Sequence, residues 1–214
     1  MKRHLVWIII LAVSLLVSAF GEAEPALPPL IKTLMQGKDT AARMDAAKKL
    51  GQSGDSQAAS PLIKALKDEN KAVRWAAIEA LGELRARAAV PALLAYLEKK
   101  EAYRWGKILT ANALAAIKDP KTVKPLLALL EKHENPIIQR VIILALGKLG
   151  DARAIPAALE LLKDERRWMR KAAQASLVDL AKGRLQGKPP RGYKSWAKWY
   201  KNDRKRHANR RRKR

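Results

Sequence analysis

The sequence predicts an all-α solenoid of about five stacked helical hairpins. Three observations carry that prediction. Prolines recur at Pro29, Pro61, Pro91, Pro125 and Pro156, in steps of 32, 30, 34 and 31 residues. Each proline is followed by an Ala-Leu-rich stretch: DAAKKLG, AAIEALG, TANALAA, VIILALG and KAAQASL. Hydrophobic residues make up 48% of the 214-residue chain, largely Ala and Leu, with one Phe and no Cys. A period of this length marks helical pairs that bury their apolar faces only against neighbouring pairs. The absence of cysteine excludes disulfides, thiolate metal sites and cysteine nucleophiles.

Four segments follow in order. Residues 1–23 carry Lys2 and Arg3 ahead of an apolar run of 13 residues from Leu5 to Val17, then small residues suited to cleavage. That layout predicts a signal peptide, or an uncleaved membrane anchor if the run is retained. Residues 25–183 are the repeats, and the leader would place them outside the cytoplasm. In the second unit, Ser60 can cap the first helix and Pro61 suits its first turn. Leu62, Ile63, Ala65 and Leu66 give that helix an apolar face, and 67–70 is a polar turn. The second helix then carries Val73, Ala76, Ala77, Ala80 and Leu81, with Gly82 read as a helix terminator. In the fourth unit Asn135 caps the second helix and Pro136 opens it.

Residues 184–203 contain Trp196, Trp199 and Tyr200 at i, i+3 and i+4, one aromatic stripe on a short helix that closes the array. Residues 204–214, RKRHANRRRKR, read as a disordered basic tail. The chain's net charge is +24, and +14 of it falls between Lys182 and Arg214. The tail side chains Arg204, Lys205, Arg206, Arg210, Arg211, Arg212, Lys213 and Arg214 are therefore candidates for binding a polyanion.

The repeat pattern resembles the HEAT repeat, specifically the short bacterial PBS-lyase HEAT-like form. VRWAAIEALGEL (73–84) matches its second-helix signature, and VIILALGKLGDARAIPAALELL (141–162) matches it across a junction. The third unit departs from it, lacking the usual glycine after Ala113 and Leu114. The W-x-x-W-[WY] segment at 196–200 is similar to one that often closes bacterial HEAT-like proteins. The resemblance implies that the column Arg43, Arg74, Lys107, Gln139 and Arg170 makes contacts between repeats, with the acids of the turn after each second helix: Asp55, Asp119 and Asp151. Arg74, Lys107 and Arg170 are also candidates for partner binding. Trp105 and Trp168 share one repeat position, that of Ala72. Trp75 lies three residues on. All three tryptophans are expected to face the inner surface of the array, either holding a partner through ring contacts or packing on neighbouring helices.

No catalytic motif is visible. There is no Gly-rich phosphate loop, nucleophile elbow or H-E-x-x-H. His133–Glu134 is a single His-Glu pair, whereas HEAT-like hydroxylases use several to bind iron. Bilin lyases share the repeat class, but the repeat carries no bilin chemistry. The sequence therefore predicts no enzyme, no metal and no cofactor. The expected function is a protein-binding scaffold of the cell envelope, exported or membrane-anchored. Its partner is a protein, with anionic lipid or an envelope polymer reached through the tail. A nucleic-acid or other polyanion-binding protein is the alternative.

Overall fold

A computed structural model describes residues 27–99, 103–182, 184–185 and 187–212. The leader at 1–23 lies outside the described residues. Among the described residues there are eleven α-helices and no strands. They form five hairpins: α1 (Leu27–Gln36) with α2 (Thr40–Gln52), α3 (Ala59–Ala65) with α4 (Lys71–Glu83), and α5 (Val90–Glu98) with α6 (Arg104–Ile117). Next come α7 (Val123–Lys132) with α8 (Pro136–Leu149), and α9 (Ile155–Leu161) with α10 (Arg167–Leu180). The last helix, α11 (Gly192–Arg212), lies across the end of the array.

The second helices α2, α4, α6, α8 and α10 pack on one another along their length, while the first helices touch only sparsely. Closer spacing on one side curves the array, so the second helices line its inner side. Gly51, Gly82 and Gly147 make the close spacing possible. A Cβ at Gly51 would lie 2.6 Å from the Ala80 Cα, one at Gly82 2.9 Å from the Ala113 Cα, and one at Gly147 2.8 Å from the Ser176 Cα. Each glycine thus sits against the backbone of the next repeat. Gly82 lies inside α4 and packs there, so it is not the terminator its position suggests. The third unit has Ala115 at the equivalent place, and the α6–α8 seam is correspondingly looser.

The prolines fall at the second or third residue of each first helix, where no intrahelical amide bond is lost. The helices begin one or two residues before the prolines. Short 3-10 turns lead into α3, α5, α7 and α9. Ser60 makes no cap. Instead Asp55, Asp119 and Asp151 accept from the amides of Gln57, Lys121 and Arg153, capping these lead-in turns. Asn70 and Asn135 cap α4 and α8.

The aromatic segment at the start of α11 packs against α10 at the end of the array. Trp196 is fully buried, and its indole N–H donates to Gln174 Oε1 of α10 at 2.9 Å. Trp199 stacks edge-on against Trp196 at 5.3 Å. The stretch 204–214, expected to be disordered, is helical through Arg212, so Arg210, Arg211 and Arg212 lie on the last turn of α11. Lys213 and Arg214 lie outside the described residues. The helix continues because each added residue contributes a backbone bond to a helix already nucleated by the packed cap. Arg, Lys and Ala are strong helix formers, and buried Asp203 pairs with Arg206 one turn on and with Arg184 before the helix.

Candidate protein-docking surface

A row on the inner side, exposed at its two tryptophans and half-buried at Ala72 and Ile137, runs along the N-terminal ends of the second helices. It contains Ala72 on α4, Trp105 on α6, Ile137 on α8 and Trp168 on α10, each the second residue of its helix. Trp105 is 55% exposed and Trp168 38%, large values for residues of such apolar area. Tyr103, just before α6, is 54% exposed. It meets Trp75 edge-to-face at 6.2 Å, and the Lys71 ammonium lies 4.6 Å from its ring centre. Tyr103 has no helical periodicity to betray it in the sequence. Its closeness to Trp105 is the one signal that would have found it.

Trp75 differs from the other two tryptophans. It is partly buried and packs against the core, and its Nε1 is buried without a hydrogen-bond partner. Gly106 makes room for it. A Cβ there would lie 2.7 Å from Trp75 Nε1 and 2.6 Å from Tyr96 Oη. Trp168 is covered on one face by the Arg166 guanidinium, 5.4 Å from the ring centre. Arg166 is in turn held by Asp164 at 2.6 Å. That bond holds the Asp164 carboxyl below the usual carboxylate range.

The basic column serves the hairpin turns. Arg74 Nη1 donates to the carbonyls of Asp68 and Glu69 at 2.6 and 2.9 Å. Arg170 Nη1 donates to those of Asp164 and Glu165 at 2.8 and 2.6 Å. Arg43 does the same with Gly37 and also grips Asp68 of the next repeat through two nitrogens, both at 3.1 Å. Lys107 is buried. The acids that meet this column thus belong to the turn before the second helix, because Asp55, Asp119 and Asp151 are occupied as caps. Of the six candidates for partner binding, Trp105 and Trp168 present free ring area. Trp75 contributes through Tyr103, and Arg74, Lys107 and Arg170 lie beneath the surface row.

This edge carries charges of both signs, because Asp68, Glu69, Glu134, Asp164 and Glu165 lie in the turns just before α4, α8 and α10. The first turns of α4, α6, α8 and α10 contain no acidic residue, while Lys71, Arg104 and Arg167 open three of these helices. Helix N-termini add partial positive charge there. The helix ends themselves are thus basic, with the acids set beside them in the hairpin turns. Among the described residues no group of His, Asp and Glu gathers to hold a metal. His133 follows α7 by itself, its pKa lowered by burial and by Lys107 and Lys132. A cleft of about 590 Å³ opens at the other end of the second helices, beside Ala115, with Lys118, Lys148, Asp179 and Lys182 at its rim.

The pattern of HEAT repeats matches residues 27–106 and 100–178, most of the chain. The chain belongs to the HEAT-repeat family. Within it, this HEAT-repeat protein is of the PBS-lyase HEAT-like kind. It is 50% identical over 56 residues to phycocyanobilin lyase subunit alpha of Synechococcus elongatus, a match that covers 26% of this chain and 20% of that protein. The match thus spans about a fifth of the relative's length. A chain in the structure of the CpcE–CpcF complex of phycocyanin lyase from Nostoc sp. PCC7120 aligns with a TM-score of 0.60 and 27% identity, covering 77% of this chain and 68% of that one. A designed armadillo repeat protein aligns at 0.52 and 18% identity, covering 83% and 99%, which speaks to the fold alone.

These relatives correct three expectations. The function expected from the sequence was a cell-envelope scaffold, or else a nucleic-acid or polyanion binder, but the similar proteins are lyase subunits. The expectation of no enzyme is overturned by the same finding, since that class is catalytic. Export or membrane anchoring is not supported either. It rested on the leader, which lies outside the described residues, and the lyase relatives give it no support; among the described residues no helix is long and apolar enough to cross a membrane. The relatives lend no support to lipid, envelope-polymer or nucleic-acid partners of the basic side chains from Arg204 onward.

Proposed function

We propose that the chain is a protein-holding subunit of a lyase of the phycocyanobilin-lyase kind, working with a second subunit. The observation that carries this reading is the alignment, over 77% of this chain, with a chain in the CpcE–CpcF complex. The row Trp105, Ile137 and Trp168, with Tyr103 and Trp75 beside it, is where the partner protein docks. Large, stiff rings offer contact area at little entropic cost, and such anchors dominate protein interfaces. The basic helix ends around the row attract the partner's acidic groups and set its orientation.

In this role the subunit accelerates the reaction by placement. Holding an acceptor protein and the group to be attached in one geometry converts an encounter of separate molecules into a local event. The Arg43, Arg74 and Arg170 ladder supplies the stiffness, because each guanidinium locks a hairpin turn. The test is reconstitution. The full chain would be mixed with CpcF, apo-phycocyanin and phycocyanobilin, and both complex formation and covalent attachment of the bilin would be read. The proposal expects a complex with CpcF and attachment above the rate without the chain. No complex and no added attachment would reject it.

A further inference from the structure

A second surface, remote from the tryptophan row, lies along α11. Tyr193, Ala197, Tyr200, Arg204 and Ala208 fall at helical spacing on one face of that helix, and with Leu159 of α9 they line a groove of about 520 Å³. Lys201 and Lys205 stand on its flank. The cations are arranged around the rings. The Lys163 ammonium lies 4.7 Å from the centre of the Tyr193 ring, and the Arg204 guanidinium lies 5.9 Å from that of Tyr200. Tyr193, Arg204, Lys205 and Ala208 are exposed. The acids nearby are already engaged: Glu160 is paired with Lys163 at 2.7 Å, and Asp203 is buried on the other side of α11 against Arg184.

The groove therefore has an apolar, aromatic floor and a cationic wall in which Lys163 is paired with Glu160, while Lys201, Arg204 and Lys205 make no ion pair among the described residues. A second copy of this chain is a poor occupant, because it would bring another strongly basic surface. A bare polyanion would satisfy the wall and leave the floor in water. An amphipathic helix with glutamates or aspartates flanking an apolar stripe satisfies both. We infer that the α11 groove docks an acidic amphipathic helix of a partner protein, which stacks on the end of the array as a further helix would. This surface uses none of the residues invoked for the lyase role, so either reading can fail alone.

The probe is a synthetic 18-residue helix with leucines at i, i+3, i+4 and i+7 and glutamates elsewhere, titrated into the full chain by fluorescence anisotropy. Controls are a scrambled peptide of the same composition, poly-glutamate, and anionic phosphatidylglycerol vesicles. The inference expects saturable binding of the amphipathic peptide, at least tenfold tighter than of the scrambled one. It also expects at least tenfold loss in the double variant Arg204→Glu, Lys205→Glu, whose helix content and melting temperature are unchanged. Trp105→Ala with Trp168→Ala would leave this binding intact. Equal binding of amphipathic, scrambled and poly-glutamate probes would overturn the inference in favour of unspecific charge. Vesicle binding without peptide binding would overturn it in favour of a membrane surface.

Discussion

Single residues show two different uses of glycine, and they predict different penalties. Gly82 faces the Ala113 backbone at a distance no side chain tolerates, whereas Gly150 has open space around it and a φ of +71°. Gly82→Val must push α4 away from α6, a cost of about 2–3 kcal/mol typical of overpacked cores. Gly150→Ala meets only backbone strain, about 1 kcal/mol. Urea unfolding of the two variants separates these causes. Arg43→Lys is expected to lose nearly as much stability as Arg43→Ala, because an ammonium cannot replace the two-nitrogen grip on Asp68. Asp151 and Asp164 carry pKa values lowered chiefly by hydrogen bonds from Arg153 and Arg166. Their stabilisation is present above the unfolded carboxylate pKa of about 3.9 and is lost as pH falls through the lower folded value. The stability gap between wild type and Asp164→Asn is thus expected to narrow from pH 5 to pH 2. The exposed positions of Trp105 and Trp168 were legible from repeat alignment. The targets of the arginine column were not, because its acceptors are mostly backbone carbonyls, which no side-chain pattern marks.

At the scale of elements, periodicity fixed which stretches are helices and left their starts open. The 3-10 lead-ins and their aspartate caps displaced the expected first residues, since proline occupies a first turn without being its first residue. The helical spacing of Trp196, Trp199 and Tyr200 marks one face of α11, and Trp196 on that face is buried. The length of α11 was not legible. Charge density alone argues for disorder, and the packed start that nucleates this helix comes from tertiary contact. Trp196→Ala is expected to cost about 3–5 kcal/mol by emptying the buried cap and freeing Gln174. In an array stabilised mainly by neighbours, that loss should fall on α10 and α11 and spare α2. Hydrogen exchange resolved by peptide would show it. Uniform loss of protection would mean that the repeats unfold as one block.

For the whole molecule, the solenoid was written in the spacing of its prolines and small residues, while the functional class was not. HEAT-like arrays share their buried positions whatever they bind, so the leader at 1–23 steered the reading towards an envelope scaffold. The likeness to lyase subunits corrected it. The curved side with its exposed rings is common ground between the two readings, and the central claim is that this side holds a partner protein. The most direct test is the affinity of the full chain for CpcF by isothermal titration, beside the Trp105→Ala, Trp168→Ala double variant. The account predicts a saturable complex that the double variant weakens at least tenfold, with melting temperature and helix content unchanged. Equal affinity for both chains, or no complex with either, would contradict it.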